Sequence, residues 1–249
     1  MMERKKMIGV GLWLLSLFPI AGVAAEAKTD KKAASSKITA EKHNLEHFTM
    51  INLSGVGDLY IKQSDQENLT VEADDSLLPL IKVYVKDKTL YLDLKDAASH
   101  TQAKIKYYLT IKDIQDINSY SSSTIYIQEG FEGDKLNIAL NSFGEANIKV
   151  NVKKFTAKIE GGGRIEANGF GPEQEITIVG AGEFDGSKFL GKTATLHVSG
   201  SGIAKVDVVG NVAANGSGEA KIMYCGTPVI SRQLTEKSTL GALDEKECK

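Results

Sequence analysis

From Asn141 onward the chain alternates apolar and polar residues in short runs separated by small triplets. Ala194, Leu196 and Val198 share one parity while Thr195 and His197 share the other; beyond Gly202, Ala204, Val206 and Val208 are apolar and Lys205 and Asp207 are not. A period of two puts successive side chains on opposite faces of an extended chain, so each run predicts a strand. The same alternation marks Leu136/Ile138/Leu140, Ala146/Ile148/Val150, Phe155/Ala157/Ile159, Ile165/Ala167, Ile176/Ile178 and Ala220/Ile222. The triplets between runs are Ser142-Phe143-Gly144, Gly161-Gly162-Gly163, Gly180-Ala181-Gly182, Gly200-Ser201-Gly202 and Gly216-Ser217-Gly218, and their last glycines lie 19, 19, 20 and 16 residues apart. A strand–helix–strand unit needs roughly 30 residues, so this period leaves no room for helices. Units so small cannot bury their own apolar face and must stack. The expected fold is all-β, a parallel β-helix (β-solenoid) with coils of about 20 residues and Gly-x-Gly corners. Gly55, Gly57, Gly144, Gly163, Gly182, Gly200, Gly202, Gly216 and Gly218 are the structural turns, places where a missing Cβ permits positive φ or close approach of the next coil.

The first half carries the same phrase less regularly. Ile51 and Leu53 precede Gly55-Val56-Gly57, and Leu59 and Ile61 follow it. After a run over residues 69–73, Ile81/Val83/Val85 and Leu90/Leu92/Leu94 flank Asp87-Lys88, which reads as a hairpin. Residues 104–111 form another predicted strand, and Ser121-Ser122-Ser123 stands where a glycine triplet is expected. Residues 48–63, the run Leu69-Thr70-Val71-Glu72-Ala73-Asp74, the serial Gly-x-Gly turns and the closing Tyr224-Cys225-Gly226-Thr227-Pro228 together resemble the head GIN domain family of autotransporter-type adhesins, common in Bacteroidetes. The resemblance spans about residues 46–243. It implies a right-handed parallel β-helix in the envelope or outside the cell, and brings no catalytic or binding residues with it.

The ends bear on location. Arg4, Lys5 and Lys6 precede an apolar run over residues 7–24 that is broken by Pro19 and ends in small residues. This reads as a signal peptide over residues 1–25, with a single membrane anchor as the alternative. No cysteine follows the run, so a lipoprotein is not expected; the product is exported to the periplasm or the cell surface, without a stable membrane span after cleavage. Residues 26–45 read as a disordered leader and residues 46–249 as a single β-helix domain. Removing residues 1–25 subtracts three positive charges and one negative, so the formal charge of −2 becomes −4. That argues against nucleic acid as a partner. Cys225 and Cys248 are candidates for a disulfide pinning the tail over the open end of the stack, or for two separate thiols.

Candidate chemistry is sparse. Residues 186–193 (Gly-Ser-Lys-Phe-Leu-Gly-Lys-Thr) match the phosphate-binding loop letter for letter. That loop needs a following helix N-terminus, whereas residues 194–198 alternate as a strand, so nucleotide is not an expected partner. Glu145, Arg164 and Glu183 follow successive triplets and in stacked coils form an external charge ladder rather than a calcium site. Glu183/Asp185, Lys205/Asp207 and Arg164/Glu166 are outward pairs of the kind a polysaccharide hydrolase or lyase would gather, but outward charge is what any soluble strand shows. His43 and His47 have metal-ligand spacing only on a helix, and their surroundings do not predict one. Tyr60, Tyr84, Tyr91 and Tyr108 occupy the polar parity of their strands, either as an exposed patch able to stack on sugars or as packing between strands. The expected protein is a non-enzymatic adhesin-like binder of a glycan or cell-surface protein, with no catalytic residues, metal or cofactor. The alternatives are a polysaccharide-active enzyme on the same scaffold and a structural envelope protein.

Overall fold

The computed structural model describes residues 37–248 apart from Thr101. The expected signal peptide at residues 1–25 lies outside the described residues. In chain order the strands are β1 (Ile38–Asn44), β2 (Met50–Leu53), β3 (Asp58–Gln63), β4 (Asn68–Asp74), β5 (Ile81–Lys86), β6 (Thr89–Leu94), β7 (Lys106–Ile111), β8 (Asp116–Ser119) and β9 (Thr124–Leu140). They continue as β10 (Glu145–Gly161), β11 (Arg164–Phe170), β12 (Glu173–Gly180), β13 (Glu183–Gly200), β14 (Ile203–Gly216), β15 (Lys221–Cys225), β16 (Val229–Leu234) and β17 (Thr239–Ala242). Two short 3₁₀ turns, Leu78–Leu80 and Ala97–Ser99, interrupt them. The fold is a β-solenoid with coils about 19 residues apart.

The strands form two stacks, parallel throughout except where β1, β4 and β5 pair antiparallel at one end. One runs β5, β6, β2, β8, then the second halves of β9 and β10, β12, the second halves of β13 and β14, and β16. The other runs β1, β4, β7, β3, then the first halves of β9 and β10, β11, the first halves of β13 and β14, β15 and β17. Inward positions superpose from coil to coil. One such column reads Tyr107, Leu59, Ile125, Ala146, Ile165, Phe184, Ala204 and Ile222, all at most 1% exposed. Small residues beside large ones fill a narrow interior. Phe155 meets Phe184 at 6.0 Å and Phe189 edge-on at 5.0 Å.

The corners are backbone against backbone. Gly161, Gly180, Gly200 and Gly218 share one column, with φ between 76° and 120°. A Cβ on Gly180 would lie 2.6 Å from the Gly161 carbonyl oxygen, and one on Gly200 would lie 2.5 Å from that of Gly180. Alignment through this column also accounts for the irregular last interval, because the partner of Gly200 is Gly218 rather than Gly216 and the step becomes 18 residues. Ser121 and Ser123 occupy the corresponding corner one coil above Gly55, each donating its hydroxyl to the Gly55 carbonyl, at 2.7 and 3.0 Å.

One expectation needs correction at the N-terminal end. The leader expected over residues 26–45 is not disordered throughout: Ile38–Asn44 is β1, paired antiparallel with β4 along its whole length. Its side chains are mostly exposed, so no apolar rhythm marks it, and the partner backbone specifies the strand. The first Gly-x-Gly coil in sequence is not the first in space. β2 and β3 lie between β6 and β7 on one side and β8 and β9 on the other. The Asp87-Lys88 hairpin forms with φ of 50° and 58°, and antiparallel β5, β4 and β1 finish this end of the stacks.

The C-terminal end is closed differently. β16 and β17 leave Ile230, Leu234 and Leu240 half-buried, and register puts the exposed Arg232 in the inward column above Ala214. An inward charge on a terminal strand opposes addition of another strand. Cys225 and Cys248 form a disulfide with 5.7 Å between Cα atoms, tying the tail to β15.

Gly180→Ala should lower stability by about 2 kcal/mol or more, through its positive φ and the carbonyl it would meet. Gly241→Ala, with open space at its Cβ, should stay within about 0.5 kcal/mol of the parent. Chemical denaturation of the two variants checks this. Reducing the disulfide should cost about 2–4 kcal/mol in the same assay.

Candidate functional site

Parallel stacking lines up outward residues as strictly as inward ones. In the stack that contains β3, one outward column reads Tyr108, Tyr60, Tyr126, Asn147, Glu166, Asp185, Lys205 and Met223. Its tyrosine end is a ladder. Tyr60 stacks on Tyr108 at 5.2 Å and on Tyr126 at 4.8 Å, with ring planes within 18° of parallel. Both faces of Tyr60 are thereby covered, so the ladder presents ring edges and hydroxyls outward. Flat stacking of a sugar on Tyr60 is excluded by this geometry. A groove of about 290 Å³ runs along the ladder, lined also by Lys62, Asn68, Thr70, Thr110 and Gln128. Lys62 pairs with Glu129 at its rim at 2.6 Å, and the Tyr108 hydroxyl donates to Glu72 at 3.1 Å. Desolvation, then the neighbouring Asp58 carboxylate, raises the Tyr60 phenol pKa. The hydroxyl therefore remains a neutral donor at physiological pH.

The four tyrosines expected as one patch divide into two groups. Tyr60 and Tyr108 are joined by Tyr126, which the sequence reading missed although Thr124-Ile125-Tyr126-Ile127 repeats the phrase Asp58-Leu59-Tyr60-Ile61. Tyr84 and Tyr91 belong to the other stack, facing one another across the β5–β6 hairpin with centroids 4.8 Å apart. The Tyr84 hydroxyl donates to Asp93 at 3.3 Å.

Farther along, Glu145, Arg164 and Glu183 occupy consecutive register positions. Arg164 bonds Glu183 and reaches Asp185 at 3.3 Å, while Lys205 lies 3.7 Å from Glu183 and 3.5 Å from Asp185. These four make a compact network, beside a cavity of about 270 Å³ that is also bounded by Lys188 and by the tail residues Lys246 and Glu247. Burial pushes the Asp185 carboxyl up. The Ser187 hydroxyl and amide, with Lys205 and Arg164, outweigh that and hold it below the ordinary carboxylate range. A carboxylate so held is a poor proton donor at neutral pH. Burial instead raises the pKa of Asp207. The phosphate-loop look-alike at residues 186–193 lies wholly within strand β13. His43 sits 3.6 Å from Glu41 and His47 bonds Glu67 at 2.8 Å; among the described residues no group of three or more His, Cys, Asp or Glu could hold a metal. Among the same residues no helix is long and apolar enough to cross a membrane.

Fold and surface define a β-solenoid that carries an aromatic ladder and a charged network on one outward face of the same stack. The chain belongs to the family "Putative auto-transporter adhesin, head GIN domain", whose profile matches residues 47–228. Membership supports an adhesin-like role and a surface or envelope location. A "putative adhesin" from Bacteroides fragilis shares the fold at TM-score 0.76 and 22% identity, over 84% of this chain and 97% of that one. A "putative lipid binding protein" from Parabacteroides distasonis superposes at 0.70 with 18% identity, over 84% and 98%. A "putative adhesin" from the same organism gives 0.67 and 23% over the same shares. No curated protein sequence matches the chain.

Because the folded-state pKa of Asp185 is depressed, its contribution to stability is present above the ordinary carboxylate pKa and fades as pH falls through the folded value. Asp185→Asn should therefore lose about 1 kcal/mol at pH 7, with the gap to the parent narrowing below about pH 4. Urea titrations at both pH values measure it.

Proposed function

We propose that the chain is an exported, non-enzymatic adhesin-like protein that presents the Tyr108–Tyr60–Tyr126 groove to a glycan or a cell-surface protein. The observation that carries this reading is the ladder itself. Three aromatic residues in register on an outward face, in a groove with amide, hydroxyl and ammonium groups around it, offer apolar edges and hydrogen-bond donors together. That mixture suits amphipathic ligands. Family membership supports the adhesin role, and the basic, apolar and small-residue run of residues 1–25 supports export. The pairing of Glu183 and Asp185 with Arg164 and Lys205 weighs against acid–base catalysis at those carboxylates.

Binding of the purified chain to glycan arrays and to immobilised cell-surface proteins tests the proposal. Tyr60→Ala/Tyr126→Ala should lower affinity at least tenfold while the β circular dichroism spectrum is kept, and Tyr84→Ala/Tyr91→Ala should leave that binding intact. Depolymerisation of a polysaccharide by the parent chain would replace the adhesin reading with an enzymatic one. Equal loss in both double variants would remove the groove as the site.

A further inference from the structure

The two stacks end in four terminal strands, β1, β5, β16 and β17, and three are blunted. β1 carries Glu41, Lys42 and His43 in succession, β16 has Arg232 in its inward column, and β17 is four residues long beside the tethered tail. β5 is six residues long and alternates half-buried Ile81, Val83 and Val85 with exposed Lys82, Tyr84 and Lys86. It pairs only with β6. In a hairpin with a two-residue turn, alternate residues exchange both backbone bonds across the ladder, starting with the pair that flanks the turn. Here those are Lys86, Tyr84 and Lys82; the Ile81 N–H closes the 3₁₀ turn on the Leu78 carbonyl, so the N–H and C=O groups of Val85 and Val83, with the Ile81 C=O, point to the open edge. Among the described residues no other segment takes them up.

We propose that the β5 edge is a docking site for an extended, acidic segment of a partner protein, which joins the sheet as an added strand. Exposed edges capture strands through main-chain bonds, and alternate side chains set specificity. Lys82 and Lys86 have no ion-pair partner among the described residues. They flank Tyr84, one of whose ring faces is covered by Tyr91 while the other looks toward the edge. An incoming strand therefore needs an acid opposite each lysine and an aromatic residue between them. Its intervening residues should be apolar, to lie beside Val83 and Val85. A cleft of about 220 Å³ between these valines and residues 43–46 can receive one of them. The pattern is acid, apolar, aromatic, apolar, acid, and reads the same in either strand direction. A second copy of this chain fits poorly, since two β5 edges would crowd four lysines onto one face with no acid from either strand.

Fluorescence polarisation with a labelled Ser-Glu-Val-Tyr-Val-Glu-Ser peptide tests the site on the full chain, with Ser-Lys-Val-Tyr-Val-Lys-Ser as its counterpart. The acidic peptide should bind at least tenfold more tightly, and added salt should weaken it. Val83→Pro removes an edge N–H that β6 does not use, a substitution edge strands tolerate, and should abolish binding with the spectrum of the fold retained. Lys82→Glu/Lys86→Glu should reverse the preference, making the lysine peptide the tighter ligand. Hydrogen exchange at Val83 and Val85 should slow when the acidic peptide is added. Absence of binding, indifference to peptide charge, or full binding by Val83→Pro would overturn the proposal, as would a dimer of the parent chain that Val83→Pro dissolves.

Discussion

Everything in this molecule depends on how closely one coil can lie on the next at the glycine corners. Adjacent strands need a spacing near 4.8 Å, and the corner must hold that spacing while the chain changes direction. It does so through a continuous ladder: Arg164 N–H to Gly144 at 3.0 Å, Glu183 to Gly163 at 2.9 Å, Ile203 to Gly182 at 3.0 Å and Lys221 to Gly202 at 2.9 Å. A side chain on Gly180 or Gly200 would sit on the carbonyl beneath it. In the last coil the same corner position is taken by Glu236 with φ of 59°, where a strained residue does not have to admit another coil.

That register makes the surface as ordered as the core. The apolar column from Tyr107 to Ile222 and the outward column from Tyr108 to Met223 run side by side on the same strands, two faces of one alternation. The tyrosine ladder and the Arg164 network therefore require no special loop or pocket architecture. They follow from which residues occupy the first and third positions of successive strands. Presenting ligand groups on a stack whose rungs support one another keeps their spacing fixed, as a surface binder requires.

Much of this was legible in the sequence, because parity reports faces directly. The strands, the corners, the hairpin at Asp87-Lys88 and the inward residues follow from apolar alternation and glycine spacing. Parity does not report neighbours, however. Nothing in the residues of β2 and β3 says that β6 and β7 come to lie on one side of them and β8 and β9 on the other. For the same reason Tyr84 and Tyr91 looked equivalent to Tyr60 and Tyr108, although they occupy the other stack. Tyr126 was discoverable, since its strand repeats the β3 phrase, but only after the rungs are aligned. β1 left no signal, because a strand exposed on both sides has no apolar rhythm.

Native-state hydrogen exchange measures the dependence on stacking most directly. If each coil is held by its neighbours, the amides of β10, β11, β12 and β13 exchange most slowly and protection declines stepwise toward β5 and β1 at one end and β16 and β17 at the other. Uniform protection along the chain, or fastest exchange in the central coils, would contradict the account.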